Sequence, residues 1–80
     1  MNQRMNVKTE IGTSEFELRM ENGEYSIYCY EYDDKGDLKD SDVVKSITPS
    51  KERAEEIFDL IVRNCVSACT LEDVIVDLIC

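Results

Sequence analysis

Asn22-Gly23 stands between Phe16-Glu17-Leu18-Arg19-Met20 and the tyrosine-dense run Tyr25-Ser26-Ile27-Tyr28-Cys29-Tyr30-Glu31-Tyr32. Both residues tolerate the positive φ of a type I′ turn, so the dipeptide predicts a two-residue β-hairpin and fixes its register. With Glu21 opposite Glu24, Met20 meets Tyr25, Leu18 meets Ile27 and Phe16 meets Cys29. Side chains alternate across a strand with period two, which places these residues on one face. Tyr28, Tyr30 and Tyr32 share the other face, opposite Glu17, Glu15 and Thr13. One turn thus predicts both a core face and a tyrosine ladder.

The flanking segments extend the meander. Met5 to Ile11 alternates apolar and polar residues and leads into Gly12-Thr13. Glycine first in a two-residue loop suits a type II′ turn, which predicts Thr9 opposite Phe16, Val7 opposite Leu18 and Met5 opposite Met20. A bulge at Gly12 within one long strand is the competing reading. After Tyr32, Asp33-Asp34-Lys35-Gly36-Asp37 fits a type I turn with Gly36 in the left-handed position. A further strand is expected from about Leu38 to Ile47, at a sheet edge where Asp40, Ser41 and Asp42 discourage pairing with another chain.

From Thr48-Pro49-Ser50 the periodicity changes. Thr48 or Ser50 can cap a helix, Pro49 is tolerated in a first turn, and Ala54, Ile57, Phe58 and Ile61 recur at i, i+3, i+4 and i+7. That stripe predicts an amphipathic helix ending near Arg63 or Asn64. Thr70-Leu71-Glu72-Asp73 has a capping-box-like spacing, and Leu71, Val74, Ile75 and Leu78 form the stripe of a second helix. Strands first and helices after, without alternation, predict an α+β fold: an antiparallel meander of three to four strands followed by two helices packed on one sheet face. If the helices pack on the tyrosine face, the assignment of the two faces is inverted.

Eighty residues bound this at a single domain over residues 1–80, near the lower size at which one core offsets chain entropy. Formal net charge is −9, from 18 acidic and 9 basic side chains. Such a balance repels phosphate, so neither nucleic acid nor an anionic membrane surface is an expected partner. Met1 to Glu10 lacks the apolar stretch of a secretory signal, and no run reaches the length of a membrane span. The expected location is cytoplasmic, where Cys29, Cys65, Cys69 and Cys80 are reduced thiols.

The chemical inventory argues against catalysis. There is no histidine, the commonest general base and metal ligand, and no glycine-rich phosphate loop or Gly-x-Ser-x-Gly elbow. No cofactor and no small-molecule substrate is expected. Cys65-x-x-x-Cys69, with Cys29 and Cys80, offers four thiolates for zinc, but a second close pair is missing and Cys29 falls on the core face. Glu31 to Asp42 echoes a twelve-residue calcium loop in its central Gly36 and terminal carboxylate. Lys35 and Lys39 occupy positions where oxygen donors belong, and the flanks read as strands, so an acidic solvated turn is the preferred reading.

The segment Asn64-x-Val66-Ser67-x-x-x-Leu71-x-Asp73-Val74-Ile75-x-Asp77, following the helix entry at Ile47-Thr48, resembles a family of short uncharacterised proteins, a domain of unknown function of anaerobic Gram-positive bacteria. The likeness covers about Phe16 to Leu78 and is strongest in the last helix. Where members of that family tend to have a proline, this chain has Ala68. The resemblance implies a small cytosolic α+β protein, with Val66 packed under the helices and Asp73 as a capping group, and it carries over no site residues.

The tyrosine ladder is the feature addressed to a partner. Aromatics on a sheet can stack on bases, but that use needs basic neighbours, and Glu15, Glu17, Asp40 and Asp42 are the neighbours expected here. Tyrosine is equally favoured at protein interfaces, and cross-strand tyrosines can also simply stabilise a half-solvated sheet. The expected function is therefore a non-enzymatic interaction or regulatory domain that contacts a protein, a second copy of itself included, through Tyr28, Tyr30 and Tyr32. Two alternatives stand beside it: an acidic decoy that mimics nucleic acid in a basic groove, and a zinc-stabilised module using Cys65 and Cys69. Glu72 and Asp77 on the polar face of the last helix are the other candidates for a contact surface.

Overall fold

Asn22 and Gly23 adopt φ of 52° and 82°, the left-handed pair a type I′ turn demands. The computed structural model describes residues 3–9 and 12–79. Four antiparallel strands, β1 (Gln3–Thr9), β2 (Gly12–Glu21), β3 (Glu24–Asp33) and β4 (Leu38–Thr48), form an open sheet in the order β1-β2-β3-β4. Two helices follow, α1 (Lys51–Arg63) and α2 (Leu71–Ile79), the second entered through a short 3-10 turn at Ala68–Thr70. This is the expected α+β meander with both helices on one face.

The β2–β3 register is the one the turn dictates: Glu21 opposite Glu24, Met20 opposite Tyr25, Leu18 opposite Ile27 and Phe16 opposite Cys29. Phe16, Leu18, Tyr25, Ile27 and Cys29 are buried beneath Ala54, Ile57, Phe58 and Ile61 of α1 and Leu71 and Ile75 of α2. Burial of these apolar surfaces drives the two layers together. Burial also pushes the Cys29 thiol up to about 12, with the carboxylates of Glu31, Asp42 and Asp40 acting in the same direction.

The β1–β2 register differs from expectation. Met5 lies opposite Phe16, where Met20 was expected, and Val7 opposite Ser14 instead of Leu18. Gly12 is not the turn residue; it opens β2, opposite Thr9 and Asp33. A Cβ there would sit 1.9 Å from the Tyr32 carbonyl oxygen, so glycine is required for a close backbone approach. The connection falls on residues 10–11, outside the described residues. The slip is an even number of positions, so Met5 and Val7 stay on the core side.

The β3–β4 turn forms as expected. Gly36 has φ 88° and donates its N–H to the Asp33 carbonyl at 3.0 Å, while the Asp33 carboxylate accepts the N–H groups of Lys35 and Asp37 at 2.9 Å each. Two irregularities break the β4 ladder, one between Glu31 and Tyr32 and one between Tyr25 and Ile27. At the second, Ser46 takes φ 56° and donates its N–H to the hydroxyl of the buried Ser26. Such bulges re-aim the side chains that follow them.

Ser50 is the N-cap of α1, its hydroxyl accepting the Arg53 N–H at 3.3 Å, and Pro49 lies one residue before the cap instead of inside the first turn. The far end closes in a Schellman arrangement: Val66 donates to the Ile61 carbonyl and Cys65 to that of Val62, both at 3.2 Å. Cys65 occupies the left-handed position, φ 47°, that usually takes glycine. Cys65→Gly is therefore expected to stabilise the fold by about 0.5–1 kcal/mol, read as a higher denaturation midpoint with an unchanged slope.

The capping box expected at Thr70 does not form. The Thr70 hydroxyl instead donates to the Ser67 carbonyl at 3.3 Å and pairs with the Ser67 hydroxyl at 3.0 Å. Local side-chain bonds of this kind compete with helix capping. The turn is tied to the sheet by the Glu31 carboxylate, which accepts the Ala68 N–H. Val66 packs against the core, as expected from the family resemblance.

Candidate functional site: the tyrosine face of the sheet

Because both helices cover the opposite face, the side of the sheet bearing Tyr28, Tyr30 and Tyr32 has no second layer among the described residues. All three tyrosines are half-buried by their neighbours and not fully exposed. The Tyr28 and Tyr30 rings stack with centroids 6.5 Å apart and planes 14° from parallel. That is within the range for offset aromatic pairs. Each lies opposite the expected glutamate, Tyr28 against Glu17 and Tyr30 against Glu15, with Tyr32 against Thr13.

Two cations complete the face. The Arg19 guanidinium carbon lies 4.2 Å from the Tyr28 ring centroid, a cation–π contact, and its Nη2 donates to Glu17 at 2.9 Å. From β1, Arg4 reaches Glu17 at 3.3 Å and Glu15 at 3.6 Å. Glu17, only 5 % exposed, is thus held between two guanidiniums. The Tyr28 hydroxyl donates to both carboxylate oxygens of Glu21 at 2.9 Å. Glu21, and burial after it, hold the Tyr28 phenol above its ordinary value.

The charge bond donated by Arg19 holds the Glu17 carboxyl below the usual carboxylate range; burial opposes this, and Arg4 adds to the lowering. A carboxylate whose folded pKa is depressed contributes stability above its unfolded value, about 4.3, and that contribution is lost as pH falls through the folded value. Stability is therefore expected to fall as pH drops below about 4.3. Glu17→Gln should flatten that limb of the curve, checked by urea denaturation at stepped pH.

Asp40 and Asp42 are not neighbours of the ladder. They pair with Glu31 and Cys29, on the helix side, while Ser41 and Val43 stand opposite Tyr30 and Tyr28. The irregularity near Lys39 shifts the phase of β4 and produces this difference. Leu38, 57 % exposed, lies opposite Tyr32 and extends the apolar character of the face. The face is thus nearly charge-balanced, with Arg4, Lys8 and Arg19 set against Glu15, Glu17, Glu21 and Glu24, one carboxylate in excess, in a chain whose net charge is −9. Arg4, Arg19, Leu38 and Val43 escaped the sequence reading. The hairpin register already placed Arg19 diagonal to Tyr28, whereas Arg4 could be placed only with the β1–β2 register.

The thiols are dispersed. Cys29 is buried in the core, while Cys65 and Cys69 are exposed free cysteines beyond α1 and in the 3-10 turn. The Cys69 sulfur lies 3.2 Å from the Ser67 hydroxyl. Among the described residues no group of three or more cysteine, aspartate or glutamate side chains is placed to hold a metal ion, and Cys80 lies outside them. Glu72 is exposed on α2, as is Asp77. No helix among the described residues is long and apolar enough to cross a membrane.

The model of DUF6514, a family of unknown function, matches residues 2–80 of the chain. No curated protein matches. No solved structure matches either.

Proposed function

Since the chain belongs to DUF6514, a family of unknown function, its role must be read from its own surface, and we propose a non-catalytic protein-interaction domain of the cytosol whose protein partner docks on the Tyr28–Tyr30–Tyr32 face. The observation that carries this reading is the stacked Tyr28–Tyr30 pair with Arg19 over it, on the sheet face that no helix covers among the described residues. Tyrosine and arginine are the residues enriched at the centres of protein interfaces. Here Glu17 and Glu21 fix both in place, which lowers the entropy lost when a partner orders them.

Charge supports the same partner class. On this face Arg4 and Arg19 are already paired with Glu15 and Glu17, which leaves them unsuited to gripping a phosphate backbone. The nearly balanced surface also lets an ordinary protein approach a strongly acidic chain with little repulsion.

Site-specific photocrosslinking in the native host tests the proposal. A crosslinker at Tyr30 should capture a discrete protein, the chain itself included, whereas one at the exposed Glu56 on α1 should not. Equal capture from both positions, or none from Tyr30, contradicts it.

A further inference from the structure

We propose that the tyrosine row takes a proline-rich segment of another protein, bound as an extended polyproline helix with a lysine or arginine at the end that lies over Glu24. The inference rests on the docking role assigned to this face and names the class of partner.

Backbone chemistry selects proline. The row runs along β3, whose two backbone edges are both consumed in pairing with β2 and β4. A segment lying across this face therefore finds no ladder for its own N–H groups. Covering such groups unpaired is costly, and proline carries none. A proline-rich chain is also extended before it binds, so it loses little conformational freedom.

The hydrogen-bonding side chains of the face select in the same direction. Its carboxylate acceptors are largely spent, Glu15 and Glu17 on Arg4 and Arg19, and Glu21 on the Tyr28 hydroxyl. Among the described residues only Tyr28 of the three ladder tyrosines spends its hydroxyl in this way, which leaves those of Tyr30 and Tyr32 to donate outward. Phenol donors beside a row of aromatic rings match a chain of pyrrolidine rings and acceptor carbonyls. Aromatic-lined grooves are the usual receptors of polyproline segments.

The dimensions suit a single extended chain. From Tyr28 to Tyr32 the row spans about 13 Å, the length of roughly four residues of polyproline helix. Val43 and Leu38 border it on the β4 side, opposite Tyr28 and Tyr32. On the β2 side lie the Arg4, Glu15, Glu17 and Arg19 ion pairs, which a broad folded partner would have to strip of water.

Charge sets the orientation. At the Asn22-Gly23 end Glu21 and Glu24 stand directly opposite each other, a like-charge pair that a cation relieves. Glu21 is bound to Tyr28, and no cation is paired with Glu24 among the described residues. At the other end Lys8 lies in one cross-strand row with Thr13 and Tyr32. A basic residue of the segment is thus drawn over Glu24 and repelled near Lys8.

Amide-resolved NMR titration of the whole chain with a capped peptide of eight prolines and one terminal arginine tests the proposal. Shifts should centre on Tyr28, Tyr30, Tyr32 and Val43. Tyr30→Phe keeps the ring and removes only its donor, and it should bind about threefold more weakly or worse, as should Glu24→Lys. Four results overturn the proposal: no shifts at millimolar peptide, shifts confined to another surface, unchanged affinity in both variants, or equal affinity for a peptide with alternating alanine and threonine in place of the prolines. If a crosslinker at Tyr30 captures a discrete protein while any of these four holds, the docking face stands and its proline-rich occupant is refuted.

Discussion

Phe16→Ala is expected to destabilise the protein by about 3–5 kcal/mol, the usual cost of truncating a fully buried aromatic. Phe16 has 0 % exposure and sits at the centre of the core face, opposite Met5 on one side and Cys29 on the other. Its removal deletes apolar burial and leaves a cavity that the sheet cannot close, because neighbouring positions are fixed by backbone pairing. A domain of this size has a stability of only about 5–10 kcal/mol, so such a loss shifts the thermal midpoint by well over 10 °C. Calorimetry or circular dichroism melts give the answer directly. A loss below about 1 kcal/mol would mean that this ring does not lie in the core.

Gly12→Ala is expected to cost about 2–4 kcal/mol, although a single methyl group is added. The added Cβ meets the Tyr32 carbonyl oxygen at 1.9 Å, a backbone atom that moves only if the β2–β3 ladder moves, and φ of 153° is itself rarely adopted by residues with side chains. The two strands must therefore separate at this end. Gly23→Ala is the control, since nothing lies within 4 Å of its would-be Cβ and only the backbone conformation resists the change. Denaturant midpoints for the pair should rank Gly12→Ala as the more damaging. Equal effects would show that the close approach at Tyr32 is relieved cheaply.

Local chemistry made parts of this fold legible and left others hidden. Asn22-Gly23 dictates its own conformation, so the β2–β3 register and both sheet faces followed from sequence. The stripe Ala54, Ile57, Phe58 and Ile61 likewise has one amphipathic solution, and these four residues are the buried positions of α1. Gly12 misled because glycine serves two purposes, turning the chain and admitting a neighbouring backbone, and only the tertiary structure shows which applies. The phase of β4 was illegible for a related reason. Bulges near Lys39 and at Ser46 have no periodic signature, and without them Asp40 and Asp42 would be assigned to the tyrosine face.

The candidate site was half legible. Tyr28, Tyr30 and Tyr32 were placed by parity alone, as were Glu15 and Glu17. The pairing of Arg4 with Glu17 depends on a strand register that the mistaken turn displaced, so the ion cluster that steadies the ladder could not be read from the chain. That cluster, with Asp40 and Asp42 on the other side of the sheet, changes the character of the face from acidic to nearly balanced. The protein-docking proposal rests on the stacked tyrosines and Arg19, and that change supports it.

The central claim is that the sheet divides into a core face and a docking face, and the unfolding free energy of Tyr28→Ser/Tyr30→Ser tests it most directly. The rings contribute one stacked pair, one cation–π contact and one hydrogen bond to Glu21. Losing these should cost about 2–3 kcal/mol in all, with the denaturant slope unchanged. A loss of 4 kcal/mol or more, on the scale of Phe16→Ala, would show that the tyrosines belong to a core and contradict the account.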